Sequence, residues 1–240
     1  MRRKITPAWA AAEIRRSLKL GGSPERSSSV QRFFKEVVQS HGWRTADLRR
    51  EARRWRREIL QQSDLKFLCE VADNLFEGMV NEEKNVAVFL LENITAKFGD
   101  EQFEMLESWL SRIRNWSNHD GLAHYLIAPM MAAEPARAKK VFRWAKSPNH
   151  WFRRAACVAL IQGTRRRMFS SEIRRLCGIL LSDEDDMVRK GLGWLLRETA
   201  KADPKRTVPY LMRIRRRAPR LVLRTACETL PVGTRNKILL

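Results

Sequence analysis

The chain contains no run of about 18 uncharged apolar residues, so nothing in it is built to span a membrane. Glycine and proline are scarce, 11 and 9 in 240 residues, which leaves long segments uninterrupted. The four cysteines, Cys69, Cys157, Cys177 and Cys227, lie far apart and form no CxxC or Cys/His pair at metal-ligand spacing. A reduced, cytoplasmic chain without metal or cofactor is the expectation. His119, His124 and His150 lack the i, i+4 geometry of a metal pair. A Gly-rich phosphate loop, a GxSxG elbow and a Cys/His nucleophile pair are all missing, which excludes the commonest nucleotide-binding and acyl-transfer chemistries.

Acidic side chains are also few, 27 against 47 lysines and arginines, giving a formal charge of +20. Yet 44% of the residues are hydrophobic and eight are tryptophan, so the chain is no disordered basic tail and is long enough for a real core. An excess charge of this size points to a polyanionic partner such as nucleic acid. The charge is unevenly placed: +10 over residues 1–60, −8 over 61–135 and +18 over 136–240. Two basic arms around an acidic middle predict a clamp-like molecule whose arms hold phosphates. The start, Met1-Arg2-Arg3-Lys4 with Arg15, Arg16 and Ser27 to Ser29, has the look of a transit peptide, but Glu13 and Glu25 oppose that reading and no apolar signal core is present.

Periodicity is helical nearly throughout. The breakers sit where helices should end: Gly21-Gly22-Ser23-Pro24, Gly99-Asp100, Ser147-Pro148, Asp203-Pro204, Ala218-Pro219 and Pro231-Val232-Gly233. Apolar residues between them recur at three- and four-residue steps, as in Val86, Phe89, Leu90 and Ile94, then Phe103, Leu106, Trp109, Leu110 and Ile113, then Val188, Leu192, Leu195 and Leu196. About twelve helices of roughly 10–18 residues are predicted, paired at a repeat of roughly 35–45 residues. The expected fold is all-α: a HEAT-like helical-repeat solenoid, curved with a basic concave face. It is expected to form one domain over residues 1–240, with 1–30 an N-terminal helix and connecting loop. Such a stack hosts nucleic-acid cradles and protein scaffolds alike.

A few residues break the pattern. Trp116, Asp120, Ala123, Ile127 and Met130 fall on one line, which sets Asp120 inside an apolar stripe. A carboxylate there must be paired, hydrogen-bonded or functional. Favourable interaction with the helix dipole is the bland alternative, although Asn115 or Ser117 is better placed to cap. Each of His119, His124 and His150 reads as exposed or core-satisfied, with the alternative for His119, beside Asp120, of orienting a water. Trp194 points away from the stripe of its own helix, beside Lys190 and Arg197, either to pack on a neighbouring repeat or to stack on a sugar, base or cation. In Trp151-Phe152-Arg153-Arg154, Trp151 reads as core, whereas Arg154 is predicted to approach Asp120 or a phosphate. The dense arginines of residues 49–57, with Trp55, read as a phosphate-tracking surface.

These residues carry a resemblance. The motifs Gln31-Arg32-Phe33-Phe34-Lys35, Gly42-Trp43 with Asp47-Leu48-Arg49, Trp116-x-x-x-Asp120, Ser147-Pro148-Asn149-x-Trp151-x-Arg153-Arg154, Lys190-Gly191-x-Gly193-Trp194-x-Leu196-Arg197-Glu198 and Leu223-Arg224-x-Ala226-x-Glu228-x-Leu230-Pro231 occur in that order. Over residues 33–231 the chain resembles the AlkD-type DNA alkylation repair glycosylases, whose HEAT-like helical pairs wrap a duplex. The resemblance implies a monomeric, metal-free and cofactor-free enzyme that excises N3- or N7-alkylated purines from double-stranded DNA, often without flipping the base. Asp120 would be the catalytic carboxylate and Trp116 and Trp194 the aromatic walls. Arg154, with Arg153, Lys190 and Arg197, would contact DNA. The basic start would belong to a helical repeat rather than a cleaved leader. Ser117-Asn118-His119 departs from the more acidic and apolar filler usual in the family. A HEAT-like module that binds nucleic acid or protein without chemistry is the alternative.

Overall fold

The computed structural model describes residues 5–240; Met1 to Lys4, the first part of the basic N-terminal block, lie outside the described residues. Among the described residues there is no strand, only one isolated bridge between Gln39 and Val80, and the fold is all-α. No helix among them is long and apolar enough to cross a membrane. Contacts divide the chain into two compact units, residues 1–122 and 123–240.

The first unit holds α1 (Pro7–Leu20), α2 (Pro24–Val30), α3 (Thr45–Gln62), α4 (Leu65–Phe76), α5 (Asn81–Leu91), α6 (Asp100–Trp109) and α7 (Trp116–Leu122). The α5 helix is its centre, packed against α3, α4 and α7. Six consecutive residues from Val86 to Leu91 are buried, because neighbours cover more than one side of this helix. The α4 helix buries Leu68, Val71, Ala72, Leu75 and Phe76 at the three- and four-residue steps of one face. Trp109 stacks on Phe76 at 4.2 Å between centroids and donates its Nε1–H to Asp73 at 2.6 Å, so the indole is buried without losing its polar partner. Thr6, Ser23 and Asp64 cap α1, α2 and α4. The α5 stripe stops short of Ile94, since the helix ends at Leu91 and Asn93 turns left-handed at φ 68°.

The second unit holds α8 (Ala128–Ala133), α9 (Val141–Trp144), α10 (His150–Val158), α11 (Ile161–Thr164), α12 (Ser170–Leu180), α13 (Asp186–Ala202), α14 (Pro204–Ile214), α15 (Arg220–Ala226) and α16 (Val232–Leu239). Every expected breaker in this half precedes a helix, with Asn149, Asp185 and Asp203 as the capping side chains of α10, α13 and α14. Both α9 and α11 are single turns of four residues, shorter than the spacing predicts. The α13 helix is central, against α10, α12, α14 and α15, and buries Val188, Leu192, Leu195 and Leu196 as expected. Its approach to α15 depends on Gly193: a Cβ there would lie 2.6 Å from Thr225 Cβ and 3.0 Å from the Val222 carbonyl oxygen.

The single apolar line expected from Trp116 to Met130 does not form. Ala123, Ile127 and Met130 are buried, but Trp116 is 36% exposed and Asp120 is half-buried; the buried residues of α7 include Asn118, His119 and Leu122. After Leu122 the chain makes a π-helical turn, Ala123–Ile127, before α8 resumes normal winding. The wider turn shifts the phase of everything beyond it. Pro129 supplies the cause, because it has no N–H to donate and its ring crowds the carbonyl one turn earlier.

Candidate active site

In the first unit, Trp116 and Asp120 stand one turn apart on α7, and neither is buried. Trp116 is held on two sides. Its ring stacks on Phe34 at 5.3 Å with 23° between planes, and its Nε1–H donates to the Phe33 carbonyl at 3.2 Å. The segment that brings these phenylalanines is folded by Gln31, whose side-chain amide donates to the carbonyls of Phe34 and Glu36 and accepts from the Val38 N–H. Phe33 is 66% exposed with Arg32 over its ring at 5.6 Å.

Asp120 is placed by its neighbours on α7 and the residue that caps that helix. His119 is fully buried and sets its Nδ1 2.9 Å from Asp120 Oδ1. Asn118 is buried too, and its side-chain amide donates to Asn81 Oδ1 at 2.9 Å on α5. Asn115 caps the helix as expected, accepting from the Asn118 N–H at 3.0 Å, and donates its own amide to Asn81 at 3.1 Å. Asn115 and Asn118 thus fasten the start of α7 to α5, and His119 orients the carboxylate.

The remaining candidates lie in the second unit. Arg154, Lys190, Trp194 and Arg197 line one open cleft with Arg224 and Glu228. Trp194 is half-buried, and its ring lies 5.3 Å from the imidazole of His124, which the π turn carries. Arg154 is 5% exposed and donates to the Met187 carbonyl at 2.6 Å, across Gly191, where an added Cβ would lie 3.1 Å from Arg154 Cγ. Arg197 pairs with Glu198 at 3.1 Å and with Glu228. Burial pushes the Glu198 carboxyl up, but hydrogen bonds from Lys201 and Arg197 outweigh it and hold the group below its ordinary value. Lys190 and Arg224 are exposed, with no carboxylate partner among the described residues. Arg224 had a signal in the Leu223-Arg224 motif, whereas His124 had none, since only the fold brings it to Trp194.

Arg153 stands apart from that cleft. Its guanidinium bridges Asp183 at 2.7 Å and the carbonyls of Ser147 and Pro148 at 3.0 and 2.9 Å, so it ties the start of α10 to the turn before α13. Of the arginines in residues 49–57, Arg49 pairs with Glu92, Arg54 with Glu51 and Glu58, and Arg56 with the Glu92 carbonyl. Much of that dense run therefore holds the first unit together.

The model of the DNA alkylation repair enzyme family matches residues 14–230. The chain belongs to that family. Its members act on DNA damage, so DNA is the partner this repair protein meets. The fold is similar to that of a DNA alkylation repair enzyme of Enterococcus faecalis, described as predicted, with a TM-score of 0.76 and 17% identity over 88% of this chain and 97% of that one. It is also similar to AlkD2 of Streptococcus mutans, with a TM-score of 0.64 and 18% identity over 95% and 100% of the two chains. These likenesses establish a shared helical-repeat fold. No curated protein sequence matches this repair protein.

Proposed function

We propose that this repair protein is a monofunctional DNA glycosylase that releases N3- and N7-alkylated purines from duplex DNA as a monomer. The observation that carries the reading is the exposed turn of α7, where Asp120, held by the buried His119, stands one turn from an indole that Phe34 and the Phe33 carbonyl fix in place. An alkylated purine is already cationic, so its glycosidic bond breaks without a general acid. The electron pair leaves with the base, which becomes neutral, and the sugar becomes an oxocarbenium ion. Asp120 stabilises that positive charge and orients the water whose oxygen bonds to C1′; the released proton passes to the carboxylate or to solvent. The products are a free base and an abasic site. Trp116 offers an indole face to the cationic lesion, worth about 0.5–2 kcal/mol depending on desolvation, and Trp194 offers one to the duplex in the cleft of its own unit. Lys190, Arg197 and Arg154 supply phosphate contacts, with Arg224 added to the set and Arg153 assigned to structure.

The test is base release from methylated duplex DNA. Wild-type protein is expected to liberate 3-methyladenine or 7-methylguanine, and Asp120→Asn to lose about 10²–10³-fold in rate, the scale of removing one electrostatic contact to a developing charge, while still binding the duplex. Tight, salt-dependent binding with no release by wild type would leave the non-catalytic module, and equal release by Asp120→Asn would remove the carboxylate from the mechanism.

A further inference from the structure

The α13 helix has two working sides. Lys190, Trp194 and Arg197 face the cleft described above, whereas Leu196 and Thr199 lie on roughly the opposite side at about 100° per residue. That second side closes a separate pocket with α12, α14 and the turn after α11. Its cavity measures about 130 Å³. Engineered cavities of roughly 150 Å³ admit benzene, so the space suits one ring or a short chain.

The interior is apolar. Ile173, Cys177 and Leu196 line it, and the threonine hydroxyls nearby are turned to their own helices, with Thr199 donating to Leu195, Thr207 to Asp203 and Thr164 to Ile161. Tyr210 lines the same cavity as Cys177. The rim is cationic, formed by Arg167, Arg174, Arg206 and Arg213, against the single carboxylate of Asp203. Asp203 is already engaged, accepting from the Arg206 N–H as the cap of α14 and lying 3.7 Å from the Arg206 guanidinium. Arg167, Arg174 and Arg213 have no carboxylate partner among the described residues. Arg174 from α12 and Arg213 from α14 line the same pocket as Tyr210, and the Arg213 guanidinium lies 5.8 Å from the centre of the Tyr210 ring. Arg167 and Phe169 in the adjoining turn are both left-handed, at φ 55° and 64°, a conformation rare for such side chains and associated with functional sites.

Guanidiniums gathered on the rim of an apolar opening favour an anion whose body fills the space and whose head they hydrogen-bond. We propose that this pocket binds a small amphiphilic anion, with a single-ring or short-chain body in the cavity and a carboxylate or phosphate-monoester head on Arg174 and Arg213. The site is separate from the proposed glycosylase residues, and its test does not depend on base release.

Phenyl phosphate and phenylacetate serve as probes, with benzyl alcohol supplying the body without charge and inorganic phosphate the charge without body. The chain has two tyrosines, Tyr125 and Tyr210, so 3-fluorotyrosine labelling gives two ¹⁹F resonances that Tyr125→Phe assigns. Saturable shifts of the Tyr210 resonance are expected with the aryl anions, at least tenfold weaker in the Arg174→Gln/Arg213→Gln variant. Ala202→Phe, which fills the cavity from α13, is expected to abolish them; circular dichroism confirms folding, and the exposed arginine pair provides the test should Ala202→Phe misfold. Equal binding of benzyl alcohol, equal binding of inorganic phosphate, or affinity unchanged in the arginine variant would each overturn the proposal. So would displacement of phenyl phosphate by unmodified duplex DNA, which would make the pocket part of the DNA grip.

Discussion

In sequence His119 reads as an exposed or core-satisfied histidine, with orienting a water beside Asp120 as the alternative. Its full burial gives it a firmer task, because a side chain that cannot move fixes the carboxylate oxygen 2.9 Å away. His119→Phe is expected to slow base release about 10–100-fold with duplex affinity unchanged, the pattern of a positioning residue, while parallel losses in affinity and rate would argue for general unfolding of α7. Lys84 is the opposite case, a buried cation outside the proposed chemistry. It donates to the Phe76 carbonyl and lies 4.5 Å from that ring, and burial pushes its ammonium from 10.5 down to about 8. Between those values the unfolded chain binds a proton that the folded chain has released, so the stability contributed at this site rises with pH from about 8 to 10.5. Urea denaturation of wild type and Lys84→Met across that window should show wild type gaining relative to the variant; a pH-independent difference would remove Lys84 from the titration.

At the scale of elements, two anchors position the candidate residues. Glu82, on α5, is 3% exposed and accepts from the Ser40 hydroxyl and the N–H groups of His41, Gly42 and Trp43. Gly42 is required in this bend, since its φ is +78° and a Cβ would lie 2.2 Å from the Ser23 carbonyl oxygen. Glu82→Ala strands several donors at once, and a loss of about 3 kcal/mol in urea unfolding is expected, because each buried unsatisfied group costs roughly 1–3 kcal/mol. In the second unit, Gly193→Ala forces α13 and α15 apart; overpacking of this kind costs about 1–3 kcal/mol and should weaken duplex binding through the cleft that both helices line. Unchanged stability would show that the α15 backbone shifts at little cost, since rotation of Thr225 does not move its Cβ. The helix breakers were legible because glycine, proline and capping side chains act locally. The π turn is not legible in the same way, although Pro129 is its signal, because a 3.6-residue periodicity cannot register a local change of winding.

For the molecule as a whole, the net charge divides as +3 over residues 1–122 and +17 over 123–240. The second unit should therefore dominate the salt dependence of binding. With a slope of about −0.9 per phosphate contact in log affinity against log salt, Lys190→Gln and Arg224→Gln are each expected to lower the slope by about 1, as measured by fluorescence anisotropy on an undamaged duplex. Arg153→Gln should leave that slope unchanged and lower the melting temperature instead, because its bonds to Asp183 and the Ser147-Pro148 carbonyls are internal. A reduced slope for Arg153→Gln would return it to the DNA-contacting set.

The sequence by itself determined the all-α class, the helix ends and the family, because periodicity, capping and ordered motifs are local or one-dimensional properties. It also singled out Trp116, Asp120, Arg154 and Trp194, through apolar and charged residues that broke the pattern. Only the tertiary structure decided their surroundings. It took Asp120 off the apolar stripe and tied it to a buried histidine, fixed Trp116 on Phe34, set His124 against Trp194 and withdrew Arg153 into an internal bridge. The settings of Trp116, Trp194 and Arg153 turn on partners 30 to 83 residues away, which a charge or an aromatic ring in the sequence does not specify, whereas Asp120 meets its own neighbour and what the fold decides there is the burial of His119.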